Sequence, residues 1–119
     1  MANMATGAYF TGDVSTETLI AAGVLTLTAD ASVIVGAQSG TTDDLDTVTV
    51  SISTVPSGYQ MVIFMTATIG DTITIKHNTG NLLCNTGADI TLTENKAVML
   101  VRFIGTTNSV VNNKWRVFG

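Results

Sequence analysis

Short stretches in which apolar and polar residues alternate one for one recur along this chain, and that spacing limits what it can fold into. In 47–53, Val48, Val50 and Ile52 fall on one side and Thr or Ser on the other. In 72–77, Ile73 and Ile75 alternate with Thr72, Thr74 and Lys76. An extended strand sends successive side chains to opposite faces, so this period makes half-buried strands. Thr, Val and Ile supply about a third of the chain, and such β-branched side chains fit a pleated sheet better than a helix. The pattern predicts strands near 24–28, 32–35, 47–53, 60–67, 72–77, 90–93, 97–103 and 115–118. Residues 16–23 read as a short turn stopped by Gly23, or equally as strand or loop. The polar stretches 37–46, 81–89 and 105–113 read as loops. Pro56-Ser57-Gly58 reads as a turn between strands.

The expected fold is therefore all-β: an antiparallel β-sandwich or jelly-roll-like barrel of about eight strands. The 119 residues suit one domain. We divide the chain into an N-terminal arm, 1–12, and a single β-domain, 13–119. Met1 followed by the small Ala2 reads as a native start, and no basic, apolar leader follows it. Val48, Val50, Ile73, Ile75, Val98 and Leu100 are the expected core.

Composition narrows the function. Hydrophobic residues make up 45% of the chain and charged residues 12%, yet no run approaches the length of a membrane helix. An apolar chain of this kind hides its excess in a subunit interface, so a homo-oligomer is expected. The Thr-rich outer faces and the Ala/Val segments are the expected interface. The net charge of -4 and five scattered Lys and Arg residues argue against nucleic acid as a partner. One cysteine, Cys84, excludes an intrachain disulfide and fits assembly in a reducing cytoplasm.

The chemistry-bearing residues are sparse. His77 is the single histidine; it reads as a strand-end residue packed on a turn, against a general base or metal ligand. Cys84 reads as an inert, partly buried thiol, against a nucleophile paired with His77. Asp43, Asp44 and Asp46 read as a solvated acidic loop, against a calcium site, since the EF-hand spacing is missing. Asp71, Asp89 and Glu94 read as turn residues. Trp115 reads as a core anchor, against a sugar-stacking platform that it or Tyr59 would have to supply. No phosphate loop, nucleophile elbow or zinc motif appears. No cofactor, metal or catalytic activity is expected.

The second half of the chain carries a resemblance. Met61-Val62-Ile63-Phe64, then Ile73-Thr74-Ile75-Lys76-His77 running into Gly80-Asn81, then Asp89-Ile90-Thr91-Leu92, Val98-Met99-Leu100-Val101 and a closing Trp115-Arg116 together resemble β-modules of tailed-phage structural proteins. It departs from that pattern by an insertion, 106–113, before Trp115. The resemblance implies a trimeric virion protein: either a capsid decoration (cement) protein or the receptor-binding tip of a tail fibre. Fibre proteins are long, so the short chain favours decoration. The implied partners are the major capsid protein and the chain itself, as a homotrimer on the virion's capsid surface after assembly in the host cytoplasm. Ala2, Asn3, Met4, Tyr9 and Phe10 in the arm are the expected capsid contacts. A carbohydrate-binding module is the alternative from another class.

Overall fold

The computed structural model describes residues 17–27, 32–50, 60–103 and 114–119. Among them the regular elements are all strands. They are β1 (Thr18–Leu19), β2 (Val24–Leu27), β3 (Ser32–Gly36), β4 (Thr42–Leu45), β5 (Thr47–Val50), β6 (Gln60–Ala67), β7 (Thr72–Ile75), β8 (Leu82–Cys84), β9 (Ile90–Leu92), β10 (Ala97–Phe103) and β11 (Trp115–Phe118). The all-β class expected from the alternation holds, and layers of sheet closed on one core are consistent with a sandwich-like arrangement. No helix among the described residues is long and apolar enough to cross a membrane.

The pairing is richer than the expected antiparallel one. The sheets run β1-β3-β6-β10-β11-β8, β2-β5 and β4-β7-β9. Five of the eight pairings are parallel. Parallel neighbours cannot be joined by a tight turn, so the chain must travel through other structure between them. Here it travels through the other sheets. The chain visits the three sheets through β2, β3 and β4, then visits them in the same order through β5, β6 and β7. Val24 lies beside Thr47, Ser32 beside Phe64 and Thr42 beside Thr72. These are two turns of a coil stacked in register. The third pass reverses: β9 lies antiparallel on β7, and β10 antiparallel on β6. A hairpin then adds β11 to β10, and β8 lines up parallel to β11.

Two strands arise where the sequence predicts loop, and a third where strand was one of three readings. β4 lies in the polar stretch 37–46 and β8 in 81–89. β1 lies in 16–23, where turn, strand and loop stood level. It ends before a turn in which Ala22 and Gly23 both take positive φ. β4 exists because its backbone extends the β7 ladder while Leu45 is fully buried. β8 exists because Leu82 and Cys84 are buried under the closing sheet. The loop 105–113, residues 51–59 and the arm lie outside the described residues.

The core is one cluster fed by all three sheets. Val48, Ile73, Ile75, Val98 and Leu100 are buried as expected; the side chain of Val50 lies outside the described set. Trp115 is fully buried, and its indole N–H donates to the carbonyl of Val48 at 3.2 Å. Asn81 meets both backbone groups of Val48. Its Oδ1 accepts the Val48 N–H at 2.9 Å and its Nδ2 donates to the Val48 carbonyl at 2.8 Å. A carboxamide has one acceptor and one donor side, so Asn81 stands in for a neighbouring strand along the outer edge of β5. Gly80 is required beside it, because any side chain there would collide with the Asp46 carbonyl oxygen.

Without the carboxamide the Val48 N–H would lose its acceptor at a part-buried edge, while its carbonyl would keep the Trp115 N–H; an orphaned donor costs more than the bond itself contributes. Asn81→Ala is therefore expected to destabilise the fold by about 2 kcal/mol. Asn81→Asp, which keeps only the acceptor, is expected to recover part of that. Denaturant midpoints check this; an Ala variant as stable as the parent would show that the bridge contributes nothing.

Candidate interaction surface

Each sheet turns one side to the shared core, and the three outward sides differ sharply. On β2-β5 the outward residues include Thr26 and Thr49, whose hydroxyls meet at 3.1 Å. On β4-β7-β9 they are Thr42, Asp44, Thr72, Thr74 and Thr91, set side by side across the strands. These are ordinary solvated faces.

The outward side of the six-stranded sheet is different. Val33, Val35, Ile63, Met65, Val98, Leu100, Trp115 and Val117 are buried on the core side. Alternation therefore sends Ile34, Phe64, Met99 and Phe118 outward. Phe64 lies beside Ser32 and Met99, and Met99 lies beside Phe118. One row across β3, β6, β10 and β11 thus reads Ser-Phe-Met-Phe. Leu83 extends the face along β8, and Leu19 along β1. Leu19 and Phe118 are 52% and 42% exposed, and Ile69, beyond the end of β6, is 81% exposed. The reason is visible in the strands themselves. Met61-Val62-Ile63-Phe64-Met65 and Ala97-Val98-Met99-Leu100-Val101 are apolar without alternation, the composition of strands covered on both faces.

Polar groups on this side are few and partly engaged. The Thr66 hydroxyl lies within hydrogen-bond reach of the carbonyls of Thr93, Glu94 and Lys96. Glu17 accepts a hydrogen bond from the Thr68 hydroxyl. A small apolar hollow of about 150 Å³ lies among Ser32, Ile34, Phe64 and Ala97. A wider open hollow of about 640 Å³ adjoins it, where Glu17 and Glu94 meet Ile34, Thr68 and Ile69.

The residues with reactive side chains are committed to structure. His77 Nδ1 accepts the backbone N–H of Cys84 at 3.0 Å. That fixes the ring to the end of β8 and points it at the backbone N–H of Cys84, not at its thiol. The Cys84 side chain is buried, and burial pushes its thiol up from the ordinary range, opposite to what a nucleophile needs. Asp89 accepts the His77 backbone N–H at 2.8 Å and pairs with Lys76 at 2.8 Å.

In the acidic stretch 43–46, Asp43 accepts from the N–H groups of Gln38 and Asp44, and Asp46 from the Thr47 hydroxyl. Asp71 does the same for Ala37. No group of three or more His, Cys, Asp or Glu side chains able to hold a metal gathers among the described residues. Trp115, with Arg102 stacked 4.6 Å from its ring centroid, offers no platform to a sugar. Tyr59, Ala2, Asn3, Met4, Tyr9 and Phe10 lie outside the described residues. Comparison of the chain with protein-family models, curated proteins and solved structures returns no match.

Two outcomes follow. With its thiol buried and pushed up, Cys84 in the native protein is expected to react with an aromatic disulfide at pH 8 on the order of a hundredfold more slowly than in denaturant. Equal rates would contradict the buried placement. Asp89 is held below the ordinary carboxylate range, first by the hydrogen bond from Lys76 and then by the His77 N–H. A lowered folded-state value stabilises above the unfolded value near 3.9 and is lost as pH falls through the folded one. Asp89→Asn is thus expected to flatten the acid limb of the stability curve below about pH 4 while leaving its slope at pH 6–8 unchanged. An unaltered acid limb would mean that the exposed pair is screened out.

Proposed function

We propose that this chain is a non-catalytic structural protein of a tailed-phage virion, a head decoration protein that binds the mature capsid as a homotrimer. The observation that carries the reading is the outward side of the six-stranded sheet, whose central strands have the composition of strands covered twice. Such a face suits a protein that works by assembling. The resemblance of the segment from Gly58 to Trp115 to phage β-modules supplies the kind of assembly. The non-catalytic reading draws on how the polar side chains are used. His77, Asp43, Asp71 and Asp89 each hold a backbone N–H, which is structural work.

Clamping a capsid is a multivalent task. Each copy contributes a modest contact to the major capsid protein, and linked copies engage several sites at once, so avidity exceeds any single affinity. The arm residues Ala2, Asn3, Met4, Tyr9 and Phe10 are the proposed contact. A segment that orders only on binding sacrifices entropy but can follow an uneven surface.

Co-sedimentation with mature heads stripped of their decoration tests this. The full chain is expected to bind saturably, and a chain lacking residues 2–10 to lose binding while keeping its oligomeric mass. Binding unchanged by the deletion would overturn the role of the arm; no binding by the full chain would overturn the decoration reading.

A further inference from the structure

β8 ends the six-stranded sheet and is three residues long, with β11 beside it. Its other side is held by the loop that precedes it. The Asn78 N–H donates to the Leu82 carbonyl at 2.7 Å, and the Cys84 N–H donates to the His77 ring at 3.0 Å. These two bonds close the base of the loop 78–81. That loop carries Asn81, whose carboxamide covers both backbone groups of Val48, and Asn78, which takes a positive φ.

The acceptor in the second bond is an imidazole nitrogen. A neutral imidazole has one acceptor nitrogen, and an imidazolium has none. Accepting at Nδ1 therefore requires the tautomer whose proton sits on Nε2. Once Nδ1 takes up a proton, two N–H groups face each other and the Cys84 N–H has lost its acceptor. Imidazoles are the side chains that ordinarily charge between pH 8 and 5, whereas carboxylates go on accepting across that range.

The charged groups around the ring cannot replace the lost acceptor. Asp89 accepts the His77 backbone N–H on one oxygen and pairs with Lys76 on the other. Lys114 bonds the side chain of Asn78 at 3.0 Å, and an ammonium only donates. On β8 itself the Cys84 thiol is kept neutral by burial.

We infer that His77 is a pH-sensitive latch on the loop 78–81. Neutral, it fastens the end of β8; protonated, it releases that end, so that β8 frays and Asn81 loosens from Val48. The neutral ring is the form that latches. The hold is therefore complete above the range in which imidazoles charge and is lost as pH falls through it. A three-residue edge strand has few other bonds to keep it closed, and such ends open first in local unfolding. The latch is independent of the virion reading, whose failure would leave it untouched.

Cys84 reports the opening, because its side chain is buried on β8. Its reaction with a pyridyl disulfide, a reagent that works in mild acid, is followed in the folded chain and in denaturant. The ratio of the two rates cancels the changing thiolate fraction. From pH 7.5 to pH 5 this protection is expected to fall by about tenfold or more, with the far-UV circular dichroism unchanged. Amide exchange at Val48, corrected for the pH dependence of the unfolded chain, is expected to quicken over the same range. His77→Gln supplies an acceptor oxygen that does not titrate and is expected to keep its protection flat.

Protection that stays flat in the parent protein, or that falls as steeply in His77→Gln, would overturn the inference. Nitrogen NMR of the ring gives a check that needs no variant. An Nδ1 without a proton at pH 7.5 that gains one on acidification, in step with the rise in Cys84 reactivity, is expected; an Nδ1 already protonated at pH 7.5 would also overturn it.

Discussion

Strand β6 is the element on which the rest of the architecture turns. It takes a parallel neighbour, β3, on one edge and an antiparallel neighbour, β10, on the other. On one side of it the chain coils, each turn repeating the order of sheets. On the other side the chain retraces that order backwards. A central strand must be apolar on its core side to bury Ile63 and Met65 and must keep every backbone group in a ladder, because an unpaired buried amide is costly. β6 buries Ile63 and Met65 and is laddered on both edges from Phe64 to Thr66, and its eight residues give β10 a long edge on which to reverse. The closing hairpin that brings Trp115 under Val48 follows from that reversal.

Much of the architecture was legible in the order of residues, and the failures have a common cause. The predicted strands became β2, β3, β5, β6, β7, β9, β10 and β11, in or close to the predicted places; β5 and β7 announce themselves by alternation, β6 and β10 by unbroken apolar runs. β4 and β8 were not legible. Thr-Asp-Asp-Leu has poor strand propensity, and only its fully buried Leu45 marks it as part of the sheet. Leu-Leu-Cys is too short to show any period. Both are strands because a long-range neighbour supplies a ladder, which is information that no local window holds. The parallel pairing was hidden for the same reason. One local sign of it did exist: the unbroken apolar runs 61–65 and 97–101, where alternation lapses.

The candidate surface was half legible. An excess of apolar residues implied an interface, but which side of which sheet carries it depends on register. A shift of one residue would exchange the Phe64–Met99 row for the core-facing Ile63–Val98 set. The reactive residues were read more easily. A lone histidine, a lone cysteine and carboxylates placed singly in turns leave little chemistry to assemble. The fold then uses His77, Asp43, Asp71 and Asp89 to satisfy backbone N–H groups. In this protein the polar side chains serve the path of the chain, and the apolar ones are left to meet the outside.

The reversal after the second turn has a further consequence. A coil of stacked parallel strands is a template that can, in principle, go on adding rungs, from its own chain or from another, toward a fibre. Here that growing tip is blunted. The β5 rim is occupied by the Asn81 carboxamide and the Trp115 indole, and the β9 and β8 rims are three residues each, too short to seed a long ladder. The molecule terminates its own polymerisation at that end, so copies that meet there must do so side by side, as finished pieces, and not by rung-upon-rung extension.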